Sequence, residues 1–594
     1  MELVQLYSNQ DEHFTPIRFN NDVSVILAEI RLPENQDIDV HNLGKSTFGE
    51  LLDFCLLKGK SARSFLFSED QFKGFVFYLE VILDSGDYLT IRRPVDPGTK
   101  VSLLIAKQSS DARGTNAESW NHSDLAFDRA RTALDGYLGI DFLQPWPFRK
   151  LVGYLLRSQA DYNDVFKLGK FSGKHRDWKP FVAHLLGLDS ASAQDLYDHR
   201  ESLKEAESHL GSIVSEWGDE VEEPSLLDGL ISVKRREVNE TQNVLDTFDF
   251  SEEDKRVTQT VVEDIESRIA AANEDRYRLG QLIQRIDESL EQEQILFKPS
   301  DSEKLFREAG VVLGDQVRRG FDQLIAFNRA IGTERREALT AQRDDAEGQL
   351  AGIDAALGEL NQRQAEALSF LRNSHALDKY KDITRSLTDQ RTHLATLERQ
   401  REAASRLAEL RRDVREQRER VGQLETTVEQ NIADVSGDDN SRFGTLRAYF
   451  DEIIHAVVGT HALIAVSLNS KGGMEFSAEF IGETGDATSE GSGTTYQKLL
   501  SVAFDLALLR TFVDQPFPRF VFHDGAFEQL EQRKQAKLLE VFREYSGHGL
   551  QPIVTALDRD LPDQGSPSVL TSKETILVLH DEGQDGRLFK MPPW

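Results

Sequence analysis

Residues 39–47, Asp-Val-His-Asn-Leu-Gly-Lys-Ser-Thr, have the types and spacing of a phosphate-binding loop. In the pattern G-x-x-x-x-G-K-[ST], backbone N–H groups cradle phosphates, the lysine reaches the terminal ones, and the Ser or Thr hydroxyl holds Mg²⁺. Gly44, Lys45 and Ser46 supply the second half and Thr47 extends it. Asp39 stands where the first glycine belongs, and Asn42 is a residue that tolerates left-handed backbone. A chance Gly-Lys-Ser-Thr at a helix start reads the same way, so the loop needs a partner. Residues 520–531, Phe-Val-Phe-His-Asp-Gly-Ala-Phe-Glu-Gln-Leu-Glu, offer one. They predict a buried strand ending in Asp524, a carboxylate placed to hold Mg²⁺ at the C-terminal edge of a parallel sheet.

Two weaker candidates lie between. Gln159 follows the apolar run Leu151–Ser158, and alone it is an ordinary surface glutamine. The stretch Ser489-Glu490-Gly491-Ser492-Gly493-Thr494-Thr495 leads into the apolar helix Leu499–Leu509 and is a second anion site by composition. The same composition also describes a flexible linker with a helix cap.

The elements that must position these groups are legible around them. Val23–Ile30 reads as a buried strand before the loop, and Phe48, Leu51, Leu52 and Cys55 predict a helix after it, its N-terminus aimed at the phosphates. Phe75–Leu83 and Tyr88–Arg93 flank Asp84-Ser85-Gly86-Asp87 and predict a hairpin on the same sheet. Residues 462–468 and 475–480 are strand-like around Gly472-Gly473, with shorter strands at 553–556 and 574–580.

Between the two ends, Val262, Ile265, Ile269, Ala272, Leu279, Ile283, Ile286 and Leu290 recur at 3-4 spacing, broken only by Arg276. Leu350, Ile353, Leu357, Leu360 and then Leu407, Leu410, Val414, Val421, Leu424, Val428 repeat it. Apolar seams with charged flanks over so many heptads predict an antiparallel coiled coil rather than an ordinary bundle. An uninterrupted arm of about 100 residues would span roughly 150 Å. Breaks are expected at Asp246–Ser251 and Asn373–His375, and a small globular tip around Phe306–Phe327, where Gly310, Gly314, Gly320 and Gly332 punctuate the pattern. The expected organisation is therefore 1–190 and 436–594 as two halves of one α/β unit, 191–297 and 334–435 as arms, and 298–333 as the tip.

At 594 residues the chain exceeds one core. A formal charge of −31 argues against wrapping nucleic acid over the whole surface, though not against a local basic groove. No run of about 18 uncharged apolar residues predicts a membrane span, and residues 1–5 lack the character of a secretory signal. The single cysteine, Cys55, excludes an internal disulfide framework and a C-x-x-C zinc hook and fits a cytoplasmic setting.

In its order of phosphate loop, glutamine, coiled coil, Ser-Gly turn and strand aspartate, the sequence resembles the ABC-type heads of SMC and double-strand-break-repair ATPases. The short arms, the cysteine-free tip and the helix Ser501–Ala507 look like a smaller bacterial branch, the SMC-like ATPases of ABC-three-component and Lamassu-type anti-phage systems. The resemblance implies ATP and Mg²⁺ as ligands. It places Lys45 on the β- and γ-phosphates, Ser46, Gln159 and Asp524 on Mg²⁺, and Ser492 and Gly493 on the γ-phosphate of a partner subunit. It further implies a homodimer, DNA as a partner, a small accessory subunit and an effector such as a nuclease.

The departures bear on catalysis. The family's glutamate directly follows the strand aspartate, and here that position is Gly525; Leu-Asp becomes Leu530-Glu531; the switch histidine falls on Thr555 or Ala556. Glu528 is the candidate replacement, otherwise a surface glutamate. The sequence thus predicts an ATP-gated switch with slow hydrolysis. A DNA-stimulated repair ATPase and a non-hydrolysing coiled-coil scaffold are the alternatives.

Overall fold

Continuous apolar runs at both chain ends and heptads between them give the protein two kinds of structure. The computed structural model describes residues 1–32, 35, 43–62, 64–169, 175–217, 223–248, 252–291, 315–368, 375–482, 493–561 and 570–592. These fall into two units, Met1–Leu203 with Gln417–Trp594, and Lys204–Glu416.

The N-terminal part of the first unit runs β1 (Glu2–Ser8), β2 (Ile17–Arg18), β3 (Ser24–Glu29), α1 (Lys45–Cys55), α2 (Phe65–Ser68), β4 (Val76–Ile82), β5 (Tyr88–Pro94), β6 (Lys100–Ala106), β7 (His122–Ala126), α3 (Phe127–Leu138), α4 (Phe148–Leu155), β8 (Leu156–Arg157) and α5 (His175–Leu185). Helices α6 (Ser190–Trp217), α7 (Pro224–Asp246), α8 (Glu252–Glu291), α9 (Asp315–Ala367) and α10 (His375–Ser436) follow. The chain ends with α11 (Arg442–Val458), β9 (His461–Leu468), β10 (Met474–Ile481), α12 (Thr494–Thr511), β11 (Phe520–His523), α13 (Gln532–Gly547), β12 (Gln551–Leu557) and β13 (Thr575–His580).

Five strands, in the order β13-β3-β12-β11-β8, form a parallel sheet. Three come from the C-terminal segment and two from the N-terminal one, so neither chain end completes the sheet alone. Residues 24–28 of β3 are all buried, as both faces of a parallel sheet require. The hairpin β4–β5 is present, but not on that sheet. It lies in a six-stranded antiparallel sheet ordered β2-β1-β4-β5-β6-β7. Adjacent strands joined by a tight turn must pair antiparallel, whereas β3 takes its parallel neighbours from distant crossovers. Strands β9 and β10 make a separate two-stranded ribbon.

In the second unit the seams pack as the heptads require. Ile265 and Ile269 of α8 meet Leu357 of α9, and Leu227 and Ile231 of α7 meet Leu397 and Ala404 of α10. Along α8 residue numbers rise as those of α9 fall, since Arg276 pairs with Asp354 and Asp287 with Arg343, so the pair is antiparallel. Residues 292–314, with the first part of the expected tip, lie outside the described ones. From Asp315 the backbone is helical straight through Gly320 and Gly332, which therefore do not interrupt it. Two stretches expected in the arms, around Leu196 and from Val421 to Ile432, bury their apolar residues in the core of the first unit. No helix among the described residues is long and apolar enough to cross a membrane.

Candidate functional site

The parallel sheet delivers four segments to one edge. After β3 the chain passes through the 36–44 stretch into α1; β11 ends at Asp524; β12 carries Thr555; β8 leads to Gln159. Open α/β sheets bind ligands at the carboxyl ends of such strands. Gly44 begins α1 at φ 107°, and a Cβ there would meet the Leu588 Cβ at 2.6 Å, so both backbone and space call for glycine. At the other end of α1, Arg93, Arg149 and Arg131 donate to the carbonyls of Phe54, Leu56 and Leu57. Cations at the C-terminus complement the helix dipole, whose positive end lies at residues 44–46.

Ser46 Oγ donates to Asp524 Oδ2 at 2.6 Å, and Thr555 Oγ1 donates to Asp524 Oδ1 at 2.7 Å. Thr555 Oγ1 also accepts the Gly525 N–H at 2.8 Å. Burial pushes the Asp524 carboxyl up from its ordinary value, against the two hydroxyl bonds and Lys45. A buried carboxylate beside one hydroxyl is the all-oxygen donor set that Mg²⁺ takes together with phosphate and water. Among the described residues no cluster of three or more His, Cys, Asp or Glu could cage a metal by itself.

Lys45 Nζ lies 2.9 Å from Glu528 Oε1, and Gln159 Nε2 donates to both Glu528 oxygens at 3.1 and 3.0 Å. Glu528 is therefore not a free surface glutamate. The turn explains its placement. Gly525 has φ 66°, Glu528 N–H donates back to Gly525 O, and a Cβ on Gly525 would sit 2.7 Å from the Glu528 carboxyl carbon. The Glu528 carboxylate, three residues on, therefore lies directly beside Gly525.

Of the residues predicted from sequence, Lys45, Ser46, Gln159, Asp524 and Glu528 come together, with Gly44 and Thr47 in the adjoining turn of α1. Asn42 and Ser492 lie outside the described residues. Gly493 makes none of these contacts; its carbonyl accepts the N–H groups of Tyr496 and Gln497 at the start of α12.

Several functional-site neighbours escaped the sequence reading. Arg157 is fully buried, and its guanidinium grips Asp505 of α12 through Nε at 2.6 Å and Nη2 at 3.0 Å. His523 Nε2 lies 3.1 Å from the same carboxylate, and burial holds this imidazole below the usual histidine range. Lys498, also on α12, is buried and reaches the 525–528 turn. Asp505 was visible as one acidic residue inside an apolar helix. Lys498 gave no signal, since a lysine beside a Ser-Gly turn reads as solvated. Asp581 accepts from Arg31 N–H, Leu32 N–H and Asn35 Nδ2, tying the loop entry to the C-terminal segment.

Residues 453–593 match the family described as "Uncharacterised protein conserved in bacteria (DUF2326)". No curated protein matches the chain. Among solved structures, the chain is similar to an Smc head domain with a coiled coil and joint from Pyrococcus yayanosii, at 13% identity and TM-score 0.36, covering 99% of this chain and 96% of that one. It is also similar to an Smc head domain with an extended coiled coil, bound to the C-terminal domain of ScpA, from Pyrococcus furiosus, at 12% identity and TM-score 0.34, over 94% and 90% of the two chains. A third, the SmcHead bound to the C-winged helix domain of ScpA, shares 10% identity at TM-score 0.32, over 99% and 96%.

Proposed function

We propose that the first unit is an SMC-like ATP-binding head that hydrolyses Mg-ATP slowly. The observation that carries this reading is the meeting of Ser46 with Asp524 and of Lys45 and Gln159 with Glu528, from three segments spread over nearly the whole chain. In this reading Lys45 and the N-terminus of α1 bind the terminal phosphates. Ser46 and Asp524 would hold Mg²⁺, with Gln159 beside them, and the bound ion would supply positive charge against the phosphates. Glu528 takes a proton from the attacking water, a contribution typically worth about 10²–10⁴-fold. Ser492 and Gly493 would meet the γ-phosphate bound by a second copy, so that ATP pairs two heads.

Slow turnover is expected because Gly525 stands where the resembled ATPases carry a glutamate directly after the strand aspartate, leaving Glu528, three residues on, as the base. Titration calorimetry with Mg-ATP tests the assignment. Lys45→Ala is expected to weaken binding by about tenfold or more, the loss of a charge-assisted contact, and unchanged affinity would remove the phosphate loop. Glu528→Gln should keep binding and lose turnover. Control of a partner effector and an accessory subunit in response to DNA, as in anti-phage defence, rests on the sequence resemblance. Co-expression with the products of neighbouring genes and pull-down with and without ATP tests that part.

A further inference from the structure

Helix α12 is apolar along most of its buried length, yet Lys498, Ser501 and Asp505 recur on one face at i, i+3 and i+7. All three are buried, Lys498 at 8% exposure and the others at 1% or less. Ionic groups inside a core are costly unless well partnered, so their partners are informative. Asp505 holds Arg157, two residues before Gln159, and His523, directly before Asp524. Lys498 holds main chain instead of a carboxylate. Its Nζ donates to Gly525 O at 2.8 Å and to Glu528 O at 3.1 Å. These are the first and last residues of the turn that brings the Glu528 carboxylate to Lys45 and Gln159. The Tyr162 ring, 5.6 Å from Nζ, packs beside the ammonium. Burial lowers the Lys498 ammonium from its ordinary value, while Glu528, Asp560 and Asp524 work against that fall and Lys45 adds to it.

A lysine that served only to neutralise Glu528 would reach its carboxylate, which is instead left to Lys45 and Gln159. Lys498 cross-links the two ends of the turn from behind. We propose that Lys498 is a positioning residue for ATP hydrolysis, fixing the 525–528 turn so that the Glu528 carboxylate stays at the site. This rests on the reading of Glu528 as the base. Because the hydrogen bonds of Lys498 among the described residues run to the 525–528 turn and not to residues 43–47, its loss should change turnover more than nucleotide affinity.

The test uses the full chain and compares Lys498→Met, Lys498→Gln, Glu528→Gln and the double variant K498M/E528Q. Mg-ATP affinity is read by titration calorimetry and hydrolysis by single turnover. Lys498→Met is expected to bind Mg-ATP within about threefold of the parent and to hydrolyse it at least about tenfold more slowly, part of the assistance a general base gives. Lys498→Gln, which keeps a donor, should recover part of that rate and stands in if the methionine variant does not fold. In the double variant the losses should not multiply, because both act through one carboxylate. Parent-like hydrolysis in Lys498→Met and Lys498→Gln, or losses that multiply, would overturn the inference while a slow Glu528→Gln kept the base in place. If Glu528→Gln itself hydrolyses normally, the base assignment fails and the role of Lys498 falls with it.

Discussion

In the unit made by the chain ends, the pair Arg157–Asp505 is 0% and 1% exposed and joins residues 348 apart. In the helical unit, Arg401–Asp228 and Arg235–Glu398 join neighbouring helices with side chains that are roughly half exposed, at 47% and 54% and at 62% and 45%. The chemistry is the same and its consequences differ. Exposed pairs give back most of their Coulombic gain to water and to side-chain entropy, so the helices are held by their apolar seams. A buried pair holds one geometry, because losing either member strands a charge in low dielectric. Precise placement of Asp524, Gln159 and Glu528 needs the second kind of bond, and the first unit has it where β8, β11 and α12 meet.

The largest expected effect breaks that bond. Asp505→Ala leaves Arg157 buried without its counter-ion and should destabilise the first unit by about 3–5 kcal/mol, read by denaturant unfolding. A loss below 1 kcal/mol would remove the contrast between the units. Next, Gly525→Ala forces a Cβ into left-handed backbone at φ 66°, costing about 1–2 kcal/mol. It also pushes on the Glu528 carboxyl, so turnover should fall with Mg-ATP affinity retained; unchanged turnover would show that the Glu528 position is not critical.

Glu266 sharpens the comparison from the other side, as a buried carboxyl in the helical unit. Burial raises it to about 7, against Thr384 and Arg391 and with Glu263 adding to the rise. The folded state keeps a proton that the unfolded chain releases near its ordinary value of 4.5. Its contribution is therefore full below that value and is lost as pH climbs to about 7. The slope is at most about 1.4 kcal/mol per pH unit. Glu266→Gln should flatten thermal stability across that window and raise it above pH 7. The smallest effect belongs to Arg401→Ala, about 0.2–1 kcal/mol and screened by salt. A larger, salt-insensitive loss would mean the surface pairs carry the helical unit after all.

The Gly-Lys-Ser-Thr run at the start of α1, the strand aspartate and Glu528 were legible because each depends on local pattern: a short motif at a helix start, an apolar strand ending in a carboxylate, an acidic residue one turn further. The seams were legible because a helix repeats its environment every three to four residues, and Val262, Ile269 and Leu357 are buried as that period demands. The placement of the β4–β5 hairpin was not legible, since strand pattern says nothing about which sheet a strand joins. Nor were Lys498 and Thr555, whose partners lie 27 and 31 residues away in sequence.

What the sequence determined by itself is the inventory: a Gly-Lys-Ser-Thr run at a helix start, a carboxylate at a strand end, apolar stripes for helices, and a glycine at position 525. Such features are written in nearest neighbours and in periods of two and 3.6, which act before any long-range contact forms. Only the tertiary structure decided that Glu528 folds back into the space beside Gly525, that Lys45 and Gln159 share its carboxylate, and that α12 grips this arrangement through Lys498 and Asp505. Those facts depend on strand order and on a turn geometry closed by side chains from other segments. No local pattern encodes them, because the energy that fixes them comes from burying polar groups against partners that folding alone brings near.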